Sequence, residues 1–167
     1  MGHIEHKHHA PKNLNCAIVT ISDSRSEADD ESGQHIMKNL KENGHNVSAY
    51  ALLKNDTAAI NDKMDELLAN TEIQIILTTG GTGLGSRDVT VETVMPLLNK
   101  KLEGFGELFR HLSYKEIGSA AIMSRALAGV IRDKVVICLP GSKGAVKLAL
   151  KEIILPEMGH MVREATR

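Results

Sequence analysis

The sequence predicts an α/β protein with a three-layer α/β/α architecture and a mostly parallel sheet. Short β-branched runs alternate with longer amphipathic segments, which is the pattern of repeated strand–helix–strand units. Several of these runs are continuously apolar, as expected for strands that helices cover on both faces. The length of 167 residues suits one domain with a sizeable core.

The first half of the chain contains three predicted strands and two predicted helices. The first helix has apolar residues on one face and Gly44 just beyond its end as a C-cap. The second carries Ile60, Met64, Leu67 and Leu68 at the spacing of one helical face. In chain order, the predicted elements are strand 16–22, helix 32–42, strand 47–53, helix 56–69 and strand 73–78.

The second half adds four predicted helical segments and a hairpin. Residues 90–99 predict a short helix. Phe105, Leu108, Phe109 and Leu112 form an apolar helical stripe. Strands 126–131 and 135–139 flank a polar turn and form a late hairpin, which contributes one antiparallel strand to the sheet. A helix around residues 146–153 and a short amphipathic helix over 157–164 end the chain.

Composition and charge exclude several classes of function. The net charge of -1 and an aromatic content of 2% argue against binding to nucleic acid or to a membrane surface. No apolar run approaches the ~20 residues that span a bilayer. Cys16 and Cys138 lie inside apolar strands and are interpreted as buried free thiols, although a disulfide stays open. We therefore expect a cytoplasmic protein.

Residues 1–14 form a polar, His-rich arm, which we expect to be flexible, and residues 15–167 form the domain. The arm lacks the apolar segment of a signal peptide. His3, His6, His8 and His9 have imidazoles that suit a transition metal, but a solvated tail that binds metal only opportunistically is the simpler interpretation.

Three loops at predicted strand ends have the composition of an anion site. Ligands bind at the carboxyl ends of strands in open α/β sheets. The loops are Ser22-Asp23-Ser24-Arg25, residues 78–85 with four glycines, and residues 139–144 with Gly141-Ser142. Each leads into a helix, whose free N–H groups favour anions, and glycine lets the backbone approach a ligand closely. The P-loop pattern and the dinucleotide fingerprint are both absent.

The pair Arg87-Asp88 follows the glycine-rich loop. The planar fork of an arginine matches phosphate oxygens. A carboxylate beside phosphates requires a Mg²⁺ ion between them, or a role in positioning the nucleophile. The other interpretation is that Asp88 caps the helix predicted from residue 90. Both roles stay open from the residues alone.

At these positions the chain resembles the MoaB/Mog family of molybdenum cofactor biosynthesis. The resemblance rests on TTGGTG at residues 78–83 followed by Arg87-Asp88-Val89-Thr90 and Glu92. Asp30 with Ser32-Gly33, Ser124-Arg125 and Pro140-Gly141-Ser142 match in order and spacing. The similarity spans about residues 12–165 and is closest to the MoaB branch.

The resemblance implies that the protein binds molybdopterin and uses Mg-ATP to adenylylate it, releasing pyrophosphate before metal insertion. It implies Asp56 and Asp88 as the catalytic carboxylates that hold Mg²⁺. It implies substrate-binding residues Thr79, Gly80, Gly81, Thr82, Gly83, Arg87, Ser124 and Arg125. The nucleotide-binding residues are expected to be Ser22, Asp23, Ser24, Gly141 and Ser142, and Arg25 is expected to line the same side of the site.

The resemblance also implies a homotrimer or a dimer of trimers, and a downstream metal-insertion protein as a partner. An alternative function is a molybdopterin carrier of the same pathway without adenylyltransferase activity. Lys143 departs from the family pattern and either contacts a phosphate or is an exposed cation at a helix start. Whether molybdenum or tungsten is the metal stays open.

Overall fold

The computed structural model describes residues 10–167 and confirms the predicted architecture, with one six-stranded sheet in the order β2-β1-β3-β6-β5-β4. The strands β2, β1, β3 and β6 run parallel, and β5 runs antiparallel to β6. Their bounds are β1 Asn15–Ile21, β2 Asn46–Leu53, β3 Ile75–Thr79, β4 Lys100–Lys101, β5 Leu127–Ile131 and β6 Lys134–Leu139.

Six α-helices cover the sheet. They are α1 Glu31–Glu42, α2 Thr57–Ala69, α3 Thr90–Val94, α4 Glu103–Ile117, α5 Lys143–Ala149 and α6 Leu155–Ala165. Three 3₁₀ turns span Glu27–Asp29, Met95–Leu97 and Gly118–Met123, and a π-helical turn at Leu150–Ile154 joins α5 to α6. Within residues 10–167, no helix is both long enough and apolar enough to span a bilayer.

The alternation of side chains along the central strands produces two apolar layers. On one face, Ile18 and Leu77 pack in a cluster with residues of α1, α4, α5 and α6. On the other face, Val19 and Ile76 pack in a cluster with residues of α2 and with Val94. Because both faces are covered, the central strands are mostly apolar rather than alternating, as the sequence predicts.

The late hairpin is confirmed, and its turn has the geometry that a two-residue connection needs. Arg132 and Asp133 have φ values of 48° and 63° between β5 and β6. Positive φ at both central residues matches the right-handed twist of the paired strands.

Three sequence predictions differ from the structure. The helix predicted over residues 90–99 is α-helical only to Val94 and ends in a 3₁₀ turn, because Pro96 has no N–H to continue the helical hydrogen bonds. Leu108 is 46% exposed, so the predicted apolar stripe of α4 is wrong at this position. The strand β4 was not predicted, because two exposed lysines carry no strand pattern.

The predicted arm overlaps the folded part of the chain. Leu14 is 1% exposed and belongs to the main apolar cluster. The Pro11 carbonyl lies so close to Gly159 of α6 that a side chain at 159 would crowd it. The four histidines of the arm, and its proposed metal site, lie outside the described residues.

The two thiols provide a test of this core. Cys16 and Cys138 are buried and unpaired, and burial raises the pKa of each to about 12. The thiolate, which is the reactive form, is therefore negligible at pH 8. We expect Ellman's reagent to label no thiol in the native protein at pH 8 and both thiols after unfolding in guanidinium chloride. Rapid labelling of the native protein, or an unfolded chain without free thiols, would contradict this prediction.

Candidate functional site

The sheet order places the carboxyl ends of β1, β3 and β6 side by side, and the loops that leave them form a cleft of about 550 Å³. This position is the usual ligand site of open α/β sheets. The cleft brings together most of the residues that the sequence predicts for the site: Ser22, Asp23, Ser24, Gly80, Gly81, Thr82, Gly83, Asp88, Ser124, Gly141 and Ser142.

The loop after β3 makes a turn that only glycine accommodates. Gly80 and Gly81 have φ values of 98° and 65°. A Cβ on Gly80 would overlap the Ile21 carbonyl oxygen, and one on Gly81 would overlap the Thr90 hydroxyl. The two glycines therefore allow the loop to lie directly against β1 and the start of α3.

Thr90, the first residue of α3, fixes the carbonyl groups of both glycines. Its Oγ1 donates to the Gly80 oxygen at 2.9 Å, and its backbone N–H donates to the Gly81 oxygen at 2.9 Å. The residue is completely buried, so these bonds are shielded from competing water.

Arg125 fixes the next two carbonyl groups. Its Nε donates to the Thr82 oxygen at 2.9 Å and its Nη2 to the Gly83 oxygen at 2.7 Å. Glu92 accepts from Nη1 at 2.5 Å and from Nη2 at 3.2 Å. This bidentate pairing lowers the pKa of Glu92 and raises the pKa of Arg125, so both groups stay charged. Arg125 thus holds the loop and does not line the cleft.

These four bonds leave the amide groups of the loop available. Among the described residues, the N–H groups of Gly81, Thr82 and Gly83 donate to no protein acceptor. A planar peptide group points its N–H away from its carbonyl, so fixing the carbonyls also fixes the amides. Consecutive amides held in this way form an anion-binding concavity.

Asp88 closes the loop that follows. Its Oδ2 accepts from the Gly85 N–H at 3.0 Å, and its own N–H donates to the Gly85 carbonyl at 3.0 Å. Val89 occupies the N-cap position of α3, without a side-chain cap bond. The interpretation of Asp88 as a helix cap is therefore wrong, and its carboxylate lines the cleft.

Asp23 and Asn55 form a second polar pair in the cleft. The Asn55 N–H donates to Asp23 Oδ1 at 2.9 Å. This backbone bond, supported by the Asn55 side chain and by nearby Arg87 and Lys54, lowers the pKa of Asp23. The Asn55 Oδ1 atom is buried and has no partner among the described residues. It is the kind of acceptor that a cation or a ligand N–H satisfies.

Four predicted site residues lie outside the cleft lining. Asp56 is exposed, and its Oδ1 accepts from the Ala59 N–H at 2.7 Å, which caps α2. The buried Thr79 donates to the Pro140 carbonyl at 2.9 Å and joins the β3 and β6 loops. Arg87 is exposed, and Arg125 holds the loop. The catalytic and Mg²⁺ roles of Asp56 and the phosphate contact of Arg87 stay predictions.

Lys143 forms an exposed ion pair with Glu31 at 3.1 Å and does not line the cleft. This placement matches the interpretation of an exposed cation at a helix start, since Lys143 is the first residue of α5.

Asp23, Asn55 and Asp88 carry the side-chain oxygen atoms of the cleft that could act as ligands of a magnesium ion. No group of three His, Cys, Asp or Glu side chains suited to a metal occurs among the described residues. Mg²⁺ does not need one, because it keeps several waters and takes one or two carboxylates together with substrate phosphates. Asp23 and Asp88 both line the cleft, and the free Asn55 oxygen is a further candidate ligand.

Comparison with known proteins identifies the family. A family described as "Probable molybdopterin binding domain" matches residues 17–160. The chain belongs to this family. The molybdenum cofactor biosynthesis protein B of Bacillus cereus is 49% identical over 168 residues, which cover 100% of this chain and 99% of the relative.

Two solved structures are similar in sequence and share the fold. A crystal structure of a molybdenum cofactor biosynthesis protein B has a TM-score of 0.89 and 50% identity, and the match covers 93% of this chain and 98% of that chain. The tungsten cofactor synthesizing protein MoaB from Pyrococcus furiosus has a TM-score of 0.85 and 38% identity, covering 95% of this chain and 100% of that chain. The resemblance to the MoaB/Mog family is confirmed.

Sequence reasoning missed three residues that line the cleft, Ile21, Asn55 and Met123. Ile21 lies inside the predicted strand 16–22, so nothing marked it as a site residue. No sequence signal separates Asn55 from Asp56, because both residue types suit the start of a helix. Met123 ends a 3₁₀ turn that carries no strong periodic pattern.

Substitution of Gly80 tests the backbone geometry of the glycine-rich loop after β3. We expect Gly80→Ala to lower the free energy of unfolding by about 1–3 kcal/mol, because φ is positive and Cβ overlaps a backbone oxygen. Gly104→Ala is the matched control, since a Cβ there meets nothing within 4 Å and the residue lies in α4. It should raise stability by roughly 0.5–1 kcal/mol. Urea denaturation measures both, and equal effects would contradict the geometry.

Proposed function

We propose that this protein acts in molybdenum cofactor biosynthesis by adenylylating molybdopterin with Mg-ATP in the cleft at the carboxyl ends of β1, β3 and β6. Membership of the molybdopterin binding domain family supports the ligand. The names of its relatives support the pathway. The adenylyl transfer is inferred from the chemistry of the cleft and from the motif resemblance.

The observation that carries the proposal is the amide cradle of Gly81, Thr82 and Gly83. Its free N–H groups offer hydrogen bonds to phosphate oxygens without a bulky side chain. Molybdopterin, the ligand that the resemblance implies, bears a terminal phosphate, and we assign that phosphate to this cradle. A cleft of about 550 Å³ lies in the usual range for small-molecule sites.

In the proposed reaction, an oxygen of the molybdopterin phosphate attacks the α-phosphorus of ATP. One P–O bond forms, the bond from the α-phosphorus to its bridging oxygen breaks, and pyrophosphate leaves with that oxygen. Both substrates are anions, so the protein must offset their repulsion while aligning them.

The residues of the cleft divide this task. The loop amides hold one phosphate, while Ser22, Ser24 and Ser142 offer hydroxyl groups on the side of the β1 and β6 loops. Asp88 and Asp23 would hold Mg²⁺, which supplies positive charge to the phosphate oxygens of ATP when it is bound. Asp88 also keeps the loop closed through Gly85.

Turnover can be tested directly. Incubation of the protein with molybdopterin, ATP and Mg²⁺ should release pyrophosphate and form adenylylated molybdopterin. Tight molybdopterin binding without pyrophosphate would reject catalysis and favour the carrier function. Failure to bind molybdopterin would reject both.

The Asp88→Asn variant tests the cleft carboxylate. Asparagine retains an oxygen that accepts from the Gly85 N–H, so the fold and molybdopterin binding should persist. Pyrophosphate release should fall by roughly 10²–10⁴-fold, because the charge that positions the metal and the phosphates is lost. An unchanged rate would remove Asp88 from the mechanism.

The Asp56→Asn variant separates the two roles of Asp56. Asparagine caps a helix about as well as aspartate, so stability should change by less than about 0.5 kcal/mol. Because the carboxylate caps α2 outside the cleft lining, we expect pyrophosphate release to stay within about fivefold of the unmodified protein. A loss as large as that of Asp88→Asn would instead establish a metal role for Asp56.

A further inference from the structure

Arg25 is the only lysine or arginine among the described residues that line the cleft. Its side chain is 34% exposed, so part of the guanidinium is accessible to a ligand. Nε of this side chain donates to no acceptor among the described residues. A free donor on a cation that faces an anion site is suited to a phosphate oxygen.

The other cations near the cleft are already engaged or lie outside it. Arg125 uses all three of its nitrogens on Glu92 and on the glycine-rich loop. The Lys54 Nζ donates to the Asp23 carbonyl at 2.5 Å, and Lys143 pairs with Glu31. Arg87 is exposed and does not line the cleft.

Arg25 is held in place from three sides. Its Nη1 lies 3.7 Å from Asp30 Oδ1 and donates to Ser32 Oγ at 3.3 Å. Its Nη2 donates to the Gly141 carbonyl at 3.3 Å. Ser32 also donates to the Gly141 oxygen at 2.9 Å, which joins the start of α1 to the β6 loop. The guanidinium is therefore oriented before any ligand binds.

Asp30 is the anchor of this arrangement. It is completely buried, and its carboxylate accepts from Thr20 at 2.5 Å, Tyr50 at 2.8 Å and the Gly33 N–H at 3.0 Å. All three are neutral donors, so Arg25 is the cation that offsets the buried charge. A buried carboxylate with this many partners occupies a fixed position, and it fixes the guanidinium beside it.

We infer that Arg25 binds a phosphate group of a substrate in the cleft and that Asp30 is the positioning residue that holds it there. The inference rests on the proposed function and adds a side-chain cation to the amide cradle. The phosphate belongs either to the nucleotide or to molybdopterin, and the ligands used in the test distinguish these sources.

Isothermal titration calorimetry of the full chain with Mg-ATP, AMP, pyrophosphate and molybdopterin tests the inference. Arg25→Met should lower the affinity for at least one of these ligands by roughly 10- to 100-fold. This is the loss expected when charge-assisted hydrogen bonds are removed. Arg25→Lys should restore part of the affinity. Loss for ATP and AMP assigns the contact to the α-phosphate, loss for ATP and pyrophosphate to the outer phosphates, and loss for molybdopterin alone to its own phosphate.

Arg132→Met is the matched control. Arg132 lies in the β5–β6 turn, at the opposite end of β6 from the cleft, and forms one exposed ion pair with Asp65 at 3.8 Å. The Arg132→Met substitution removes the same charge, and it should leave the affinity for every ligand within about twofold of the natural chain. Equal losses of affinity in Arg25→Met and Arg132→Met would show that the change in net charge causes the loss, and this would overturn the inference.

The positioning role of Asp30 is tested by a double-mutant cycle. Asp30→Asn should weaken binding of the affected ligand in the natural chain. In the Arg25→Met background it should cause little further loss of affinity, because both substitutions remove the same interaction. If Asp30→Asn instead damages the structure generally, it should weaken binding by the same factor in both backgrounds. That result would overturn the role of Asp30. If Asp30→Asn does not fold, Ser32→Ala removes a milder restraint on Arg25 and should show the same coupling.

Two outcomes separate this inference from the proposed function. Normal binding of every ligand by Arg25→Met would overturn the inference and leave the proposed function intact. Failure of the natural chain to bind any of the four ligands would overturn the proposed function and the inference with it.

Discussion

The site depends on four backbone carbonyl groups that are held by hydrogen bonds within the protein. Thr90 holds those of Gly80 and Gly81, and Arg125 holds those of Thr82 and Gly83. Because each peptide is planar, these bonds determine where the following N–H groups point. Without them, a loop with this much glycine would sample many conformations and lose much of its entropy on binding a ligand. The buried threonine and the Arg125–Glu92 pair hold a glycine-rich loop in one conformation, as the proposed anion site requires.

The sheet supplies the frame that makes this possible. The adjacency of β1, β3 and β6 brings together loops that are far apart in the chain, and helices on both faces hold the strand ends rigid. Rigid strand ends matter because a phosphate cradle loses binding energy when its donors are displaced by a fraction of an ångström. Thr79 adds a direct bond between the β3 and β6 loops. The cleft is therefore a property of the sheet order as much as of the glycine-rich motif.

Much of this arrangement is predictable from the sequence, and the rest has identifiable reasons. The apolar strands, the hairpin and the glycine-rich loop carry local patterns, so the fold and most cleft residues follow from them. The role of Arg125 does not follow from a local pattern, because its partner Glu92 is 33 positions away. Only the folded chain shows that its donors are bonded to Glu92 and to the glycine-rich loop. Asn55 and Asp56 illustrate a different limit. These adjacent residues have similar chemistry, but Asn55 lines the cleft and Asp56 caps α2. A difference of one position along the chain therefore determines which of them faces a ligand.

The distribution of charge is compatible with the proposed binding of polyanions by a protein with a net charge of -1. An overall positive field is not needed when the donors are neutral amides, which add no net charge and need no counter-ion when the cleft is empty. A free amide would cost about 1–3 kcal/mol if it were buried without a partner. Gly81 and Gly83 are only partly buried, so water can satisfy their amides until a phosphate takes its place. Thr82 is 5% exposed, but it also lines the cleft. Arg25 differs because its charge is offset inside the protein by Asp30. Pairing the cation with a buried carboxylate fixes its direction, while its exposed edge remains available to the ligand.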